Sequence, residues 1–117
     1  MKIVRLTVNG ALKSKANSRR MIRPGLVIKS KGALEFEETA ILQLNQQYKG
    51  EPITSNVYLI CDIYYPTKRN DLSPELFFDC LQKAGVLEND RQIWSYSAFK
   101  HIDKENPRVE CTVYETE

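Results

Sequence analysis

One histidine, His101, is all the imidazole that the 117 residues carry. That is too little for a His-based metal cluster, and it argues against a His–Ser–Asp hydrolytic site. Cysteine is scarce and odd in number: Cys61, Cys80 and Cys111 show no C-x-x-C spacing. This excludes a disulfide framework or a structural zinc site as the organising element, and suits a reduced cytoplasm. No apolar run approaches the roughly 20 residues of a membrane span. The opening Met1-Lys2-Ile3-Val4-Arg5 has no apolar signal region, so neither membrane insertion nor export is expected. The most informative gap is in charge. No Asp or Glu occurs before Glu35.

Into that acid-free stretch fall nine basic residues: Lys2, Arg5, Lys13, Lys15, Arg19, Arg20, Arg23, Lys29 and Lys31. The rest of the chain sets eight basic residues against fifteen acidic ones, a balance of −7 hidden inside a formal net charge of +2. Such asymmetry suggests a polyanionic partner for one part and a carboxylate site in the other. An apolar fraction of 42% with 27% charged residues is that of an ordinary globular protein. Residues 1–117 are expected to form a single domain.

Ile3 to Val8 alternates and predicts a first strand. Asn9-Gly10 breaks it. The basic, aperiodic segment from Ala11 to Gly25 is expected to be a loop ending in a Pro24-Gly25 turn, with a short strand at Leu26 to Lys29. Ala33, Phe36, Ala40, Leu44 and Tyr48 recur at three- and four-residue steps, which predicts a helix over Lys31 to Tyr48 capped near Gly50. Asn56 to Tyr65 is apolar on both faces and reads as a central strand. A second helix begins with Ser73 as N-cap and Pro74 in the first turn, and ends at Gly85. Gln92 to Lys100 and Arg108 to Glu115 read as strands forming a closing antiparallel hairpin, with His101 solvated in its turn. The expected fold class is α+β, a single mixed β-sheet with two α-helices packed on one face.

The chemistry concentrates between Lys68 and Ile93. Asp71 precedes the second helix and Asp90 follows it. Carboxylates gathered at element ends suit hard divalent cations, which take oxygen ligands. Two such ions assist phosphodiester hydrolysis by stabilising the attacking and leaving oxygens. Asp71 and Asp90 can meet if the strands that they flank lie adjacent. A plain reading stands beside this one: Asp71 and Asn89-Asp90 as turn formers, Glu75 as a helix-dipole residue, Asp79 as a solvated helix residue.

The stretch R-N-D-L-S-P-E-L, followed by D-C-L-Q-K-A-G-V-L-E-N-D-R-Q-I, resembles the RusA family of Holliday junction resolvases. That family shows an Asp-Leu-Asp near a helix start, a D-x-L-x-K-A-G helix end, and an acidic pair followed by Gln and an aliphatic residue. The earlier S-K-A-N-S-R-R is similar to the basic N-terminal loop of its phage-type members. Matching pieces cover about half the chain, in the family's order. The resemblance implies that Asp71 and Asp90 are the catalytic, metal-holding aspartates and that Asp79 is the aspartate of the D-x-L motif. The chain departs from the pattern where the second aspartate of the D-x-D falls on Ser73, and where a helix lysine of some members is replaced near Glu75. Glu75 and Asp79, four residues apart, are candidate substitute ligands. A two-residue shift would instead put Asp71 on the second aspartate and Arg69 on the first.

The expectation is therefore an Mg²⁺- or Mn²⁺-dependent, structure-selective endodeoxyribonuclease that resolves Holliday junctions. The resemblance implies a homodimer acting on branched DNA, with no membrane and no small-molecule cofactor. Lys13, Lys15, Arg19, Arg20 and Arg23 are the candidate DNA-binding residues, through phosphate contacts that position without reading sequence. Tyr64, Tyr65, Trp94 and Tyr96 read as core aromatics, with stacking on exposed bases as the alternative. The cysteines read as small apolar fillers, and Asp62 either faces the site or pairs with a lysine. Two other functions remain open: a branched-DNA-binding protein that lost a metal ligand at Ser73, and a basic protein-interaction module.

Overall fold

The computed structural model describes residues 2–14, 19–23 and 26–116, with the backbone course alone for 19–23 and 26–29. Six strands and two helices follow in the order β1 (Ile3–Asn9), β2 (Arg19–Arg23), β3 (Leu26–Lys29), α1 (Lys31–Gln47), β4 (Val57–Tyr65), α2 (Glu75–Lys83), β5 (Ile93–Ile102) and β6 (Arg108–Glu115). A short 3-10 turn, Asp90–Gln92, leads into β5. The main sheet is mixed and four-stranded, in the order β1-β6-β4-β5. β4 runs parallel to β5 and antiparallel to β6, which is antiparallel to β1. Among the described residues no helix is long and apolar enough to cross a membrane.

β4 is central, as its two apolar faces predict. Val57, Leu59, Cys61, Ile63 and Tyr65 are buried, while the residues between them are half-buried. They share one core with Leu6 and Val8 of β1, Val109, Cys111 and Val113 of β6, and the apolar stripes of both helices. Both helices thus cover the same face, and the α+β expectation holds. All three cysteines are buried, and none is in a disulfide. Cys61 and Cys111 face each other across β4 and β6 with sulfurs 3.4 Å apart. The hydrogen bond with Cys61, followed by burial, pushes the Cys111 thiol well above its usual pKa.

Two expectations fail on strand pairing. β5 and β6 form no hairpin, because β4 lies between them. Crossing it takes two strand spacings, about 10 Å, which the connection through Asp103–Pro107 covers easily. The basic segment is not wholly a loop, since Arg19–Arg23 pairs antiparallel with Leu26–Lys29. Backbone pairing tolerates arginines where a strand has only one neighbour, as in this separate two-stranded sheet. The expected Pro24-Gly25 turn lies outside the described residues.

The ends of α2 differ in origin. Ser73 does not cap it. The first helical bond runs from the Phe78 N–H to the Pro74 carbonyl, leaving Ser73 one residue outside. At the other end Gly85 takes φ +79°, and the N–H groups of Gly85 and Val86 close on the carbonyls of Gln82 and Leu81. This paired closure of the last turn requires a left-handed residue, which glycine adopts without steric cost.

Gln92 holds the entry to β5. Its side chain is buried, its Nε2 donates to the carbonyls of Ile53 (2.5 Å) and Ser55 (2.8 Å), and its Oε1 accepts from the Asn89 N–H at 2.7 Å. With Asn89 Oδ1 accepting from the Arg91 N–H, the Asn89–Gln92 turn is tied to the segment before β4. Replacing Gln92 by Leu keeps volume but strands buried backbone groups, so Gln92→Leu is expected to lose about 2–3 kcal/mol of stability. The melting temperature should fall by roughly 10 °C in a thermal unfolding experiment. An unchanged melting temperature would show that the amide is not what anchors this turn.

Candidate active site

The polar side of α2 and the start of β5 form the walls of one depression. α2 buries Leu76, Phe77, Phe78, Cys80 and Leu81. That leaves Glu75 and Asp79 on its other side, one helical turn apart. Across from them stands Asp90, whose backbone N–H donates to Gln82 Oε1 at 3.1 Å. The depression holds about 500 Å³ and is lined by Glu75, Phe78, Asp79, Asp90 and residues 93–96. Three carboxylates therefore open on one space, whose apolar wall is Phe78, Trp94 and Tyr96.

Asp71 lies in a different place from Asp90. The strands that they flank are adjacent, but they are parallel, so the end of β4 and the start of β5 lie at opposite ends of the pair. Asp71 lines a neighbouring depression of about 350 Å³ with Lys13, Ser14, Arg69 and Asn70, at the Ser30–Gly32 start of α1. Tyr65 connects the two regions. Its hydroxyl accepts from the Ser73 N–H at 3.1 Å. Burial raises its pKa, and the carboxylates of Glu75 and Asp71 raise it further, against the lowering effect of the Ser73 N–H. Asp71, Glu75, Asp79 and Asp90 thus form a row along α2, with the Tyr65 phenol held neutral at its start.

Ser73, where an aspartate was expected from the resemblance, donates its hydroxyl to Glu75 Oε2 at 2.5 Å. The hydroxyl orients a carboxylate and does not cap the helix. The loop before it is tied down by Lys100, whose Nζ donates to the carbonyls of Lys68 (2.9 Å) and Asn70 and lies 5.9 Å from the Tyr65 ring centre. Lys100, Tyr65 and Gln92 all shape this region. The sequence marks Tyr65 as a core aromatic but gives Lys100 and Gln92 no role, because the carbonyls that they hold are thirty or more positions away in the chain.

Of the expected DNA-binding residues, Lys13 lines the Asp71 depression. Arg19, Arg20 and Arg23 lie on β2 in register with Lys29, Ile28 and Leu26, while Lys15 lies outside the described residues. The aromatics divide. Tyr65 is buried as expected of a core residue, but Trp94 is 75% exposed and Tyr96 44%. Tyr64 stacks on His101 at 4.5 Å and under the Arg108 guanidinium at 3.8 Å. His101 is not in a turn: it belongs to β5, and its Nε2 lies 2.7 Å from Asp62 Oδ1. Asp62 therefore pairs with histidine, not lysine. The parallel register, with Tyr64 opposite His101, brings that pair together.

The donor set of the depression is entirely oxygen, the chemistry that a hard divalent cation requires. Among the described residues, no three acidic, His or Cys side chains stand close enough to form a ready-made metal cage. The carboxylates fit such an ion in kind and in shared exposure, as a lining more than a closed shell.

The sequence profile described as "Endodeoxyribonuclease RusA" matches residues 9–114. The chain is also similar to the "Crossover junction endodeoxyribonuclease RusA" of Aquifex aeolicus (strain VF5), with 33% identity over 92 residues, covering 74% of this chain and 73% of that protein. The profile spans every element from the end of β1 to β6, including the row of carboxylates along α2. The chain belongs to the RusA family of endodeoxyribonucleases.

Proposed function

We propose that this protein cuts DNA at four-way junctions, with Asp90, Glu75 and Asp79 holding a divalent cation, Mg²⁺, and Asp71 completing the acidic row. Membership of the family makes the chain a nuclease, a hydrolase of phosphodiester bonds, and nucleases of this family are metal-dependent. The observation that carries the assignment is the single depression on which Glu75, Asp79 and Asp90 open together. A bound divalent cation supplies positive charge to the attacking and leaving oxygens of the phosphodiester. The chain's own groups do the positioning. Ser73 fixes the Glu75 carboxylate, and Gln92 fixes the turn that presents Asp90. Phe78, Ile93 and Tyr96 wall the space on its apolar side.

DNA would approach along the basic side. Lys13 and Arg69 line the depression that Asp71 shares, and β2 carries three further arginines. A four-way junction presents two scissile strands related by symmetry, which a homodimer with two sites would meet. A second reading, junction binding without cleavage, is favoured by one observation: Ser73 supplies a hydroxyl where the resemblance implies a carboxylate.

Cleavage of a synthetic four-way junction in Mg²⁺, abolished by EDTA, tests the proposal. Asp90→Asn and Asp71→Asn are each expected to slow that cleavage by about 10²-fold or more, with junction binding and folding retained. Normal cutting by either variant would remove that residue from the site. For Ser73→Asp, a rebuilt and complete site predicts little gain, because the new charge would face Glu75. Glu75→Gln and Asp79→Asn should then each reduce cleavage. Faster cutting by Ser73→Asp, with no effect of the other two, would instead identify a weakened enzyme. Replacing Arg19 and Arg20 together by Ala should weaken binding to all DNA substrates alike and reduce the salt slope of log affinity by about 2. An unchanged slope would move the phosphate contacts elsewhere.

A further inference from the structure

Trp94 has no place in the core, and the metal chemistry does not use it. It is the chain's single tryptophan and its most exposed large apolar side chain among the described residues, at 75%. Leaving an indole in water costs the hydrophobic gain of burying a side chain of 150–250 Å², so its exposure calls for an occupant. Its backbone is also irregular. Val57 pairs with Ile93 and Tyr58 with Ser95, so Trp94 is the extra residue of a bulge in β5. Bulges re-aim a side chain out of the regular alternation of a strand. This one lies on an edge strand, beside a depression lined by Glu75, Asp79 and Asp90 as well as by Trp94 and Tyr96. Tyr96 is steadied by an edge-on contact with Phe78, ring centres 4.9 Å apart, and so continues the aromatic wall from firm ground.

We infer that Trp94 is a base-stacking residue that favours branched over linear DNA; the inference rests on the proposed cleavage site. A strand that places a phosphodiester against the carboxylates must bring a neighbouring base to the same depression, whose aromatic wall has an open face. Stacking on an indole requires that the base leave its own stack. The cost of unstacking is least where stacking is already interrupted, as at the point of strand exchange in a junction. In an uninterrupted duplex the base stays stacked and the indole gains nothing. Discrimination thus arises without reading sequence, since every base has a π-face.

The single tryptophan makes the test direct. In metal-free buffer with EDTA, so that DNA stays uncut, an immobile four-way junction and a linear duplex are titrated while tryptophan emission and gel mobility are both recorded. Saturating junction is expected to quench Trp94 emission and shield it from acrylamide, and bound duplex to do so far less. Trp94→Ala should lower junction affinity about tenfold, leave duplex affinity and the salt slope unchanged, and melt as the parent does; Trp94→Phe should retain most of the affinity. Emission that stays constant while gel shift shows junction bound would overturn the inference. So would equal loss of junction and duplex affinity in Trp94→Ala, or emission that changes with protein concentration alone, which would mark Trp94 as a contact between copies of the chain. Cleavage of the same junction in Mg²⁺ by the parent protein, run in parallel, reports separately on the proposed function.

Discussion

The parallel pairing of β4 with β5 is the constraint on which the rest of the molecule depends. Antiparallel neighbours can be joined by a tight turn, but parallel ones require a crossover along the sheet. Here the crossover is α2, whose apolar side completes the core. Its polar side therefore lies on the path from one end of the strand pair to the other and carries Glu75 and Asp79 with it. Asp71 stands where the crossover begins and Asp90 where it ends. A direct β5–β6 hairpin, with β5 antiparallel beside β4, would dismantle this row.

Once α2 is fixed, small polar ties hold the turns at its ends. Gln92 anchors the turn into β5, and Lys100 anchors the loop out of β4. Both act on backbone carbonyls, and at Ile53 the contact is buried, where an unsatisfied group is costly. The two helices are held to each other by the buried Glu37 carboxylate, which pairs with Lys83 Nζ at 3.0 Å. The sheet's uncovered face is held in another way, by Asp62–His101, the Tyr64 stack, and Arg108 bridging Asp103 and Glu110. The Arg108 bridge keeps the Asp103 carboxyl below its usual pKa.

The two edges of the sheet are treated oppositely. At β1 the outward backbone groups of Thr7 and Asn9 are paired by the side-chain amides of Gln47 and Gln43, one turn apart on α1. Each amide donates and accepts, so it replaces a missing strand at that point and blocks edge-to-edge association. At β5 no such cover exists among the described residues, and Trp94, Tyr96 and Phe99 are exposed along it. The closed edge lies away from the carboxylates and the open one borders them, an arrangement that leaves the site accessible to an extended partner such as a DNA strand.

The sequence by itself determined the elements whose signals are local. Alternation marked β1 and β4, the three- and four-residue steps marked α1, and Gly85 marked the end of α2, because each reflects a period or a backbone conformation set within a few residues. It also separated the basic segment from the acidic remainder and singled out Asp71, Asp79 and Asp90, since charge and motif need no fold to be read. Strand order, register and burial were decided by the tertiary structure. That β4 parts β5 from β6, that His101 meets Asp62, and that Gln92 reaches Ile53 and Ser55 all depend on residues about forty positions apart. Trp94 shows the difference most sharply. Its sequence context is that of a strand aromatic, which packs inward by default. Only an edge position and one extra residue in the pairing turned it outward, beside the carboxylates.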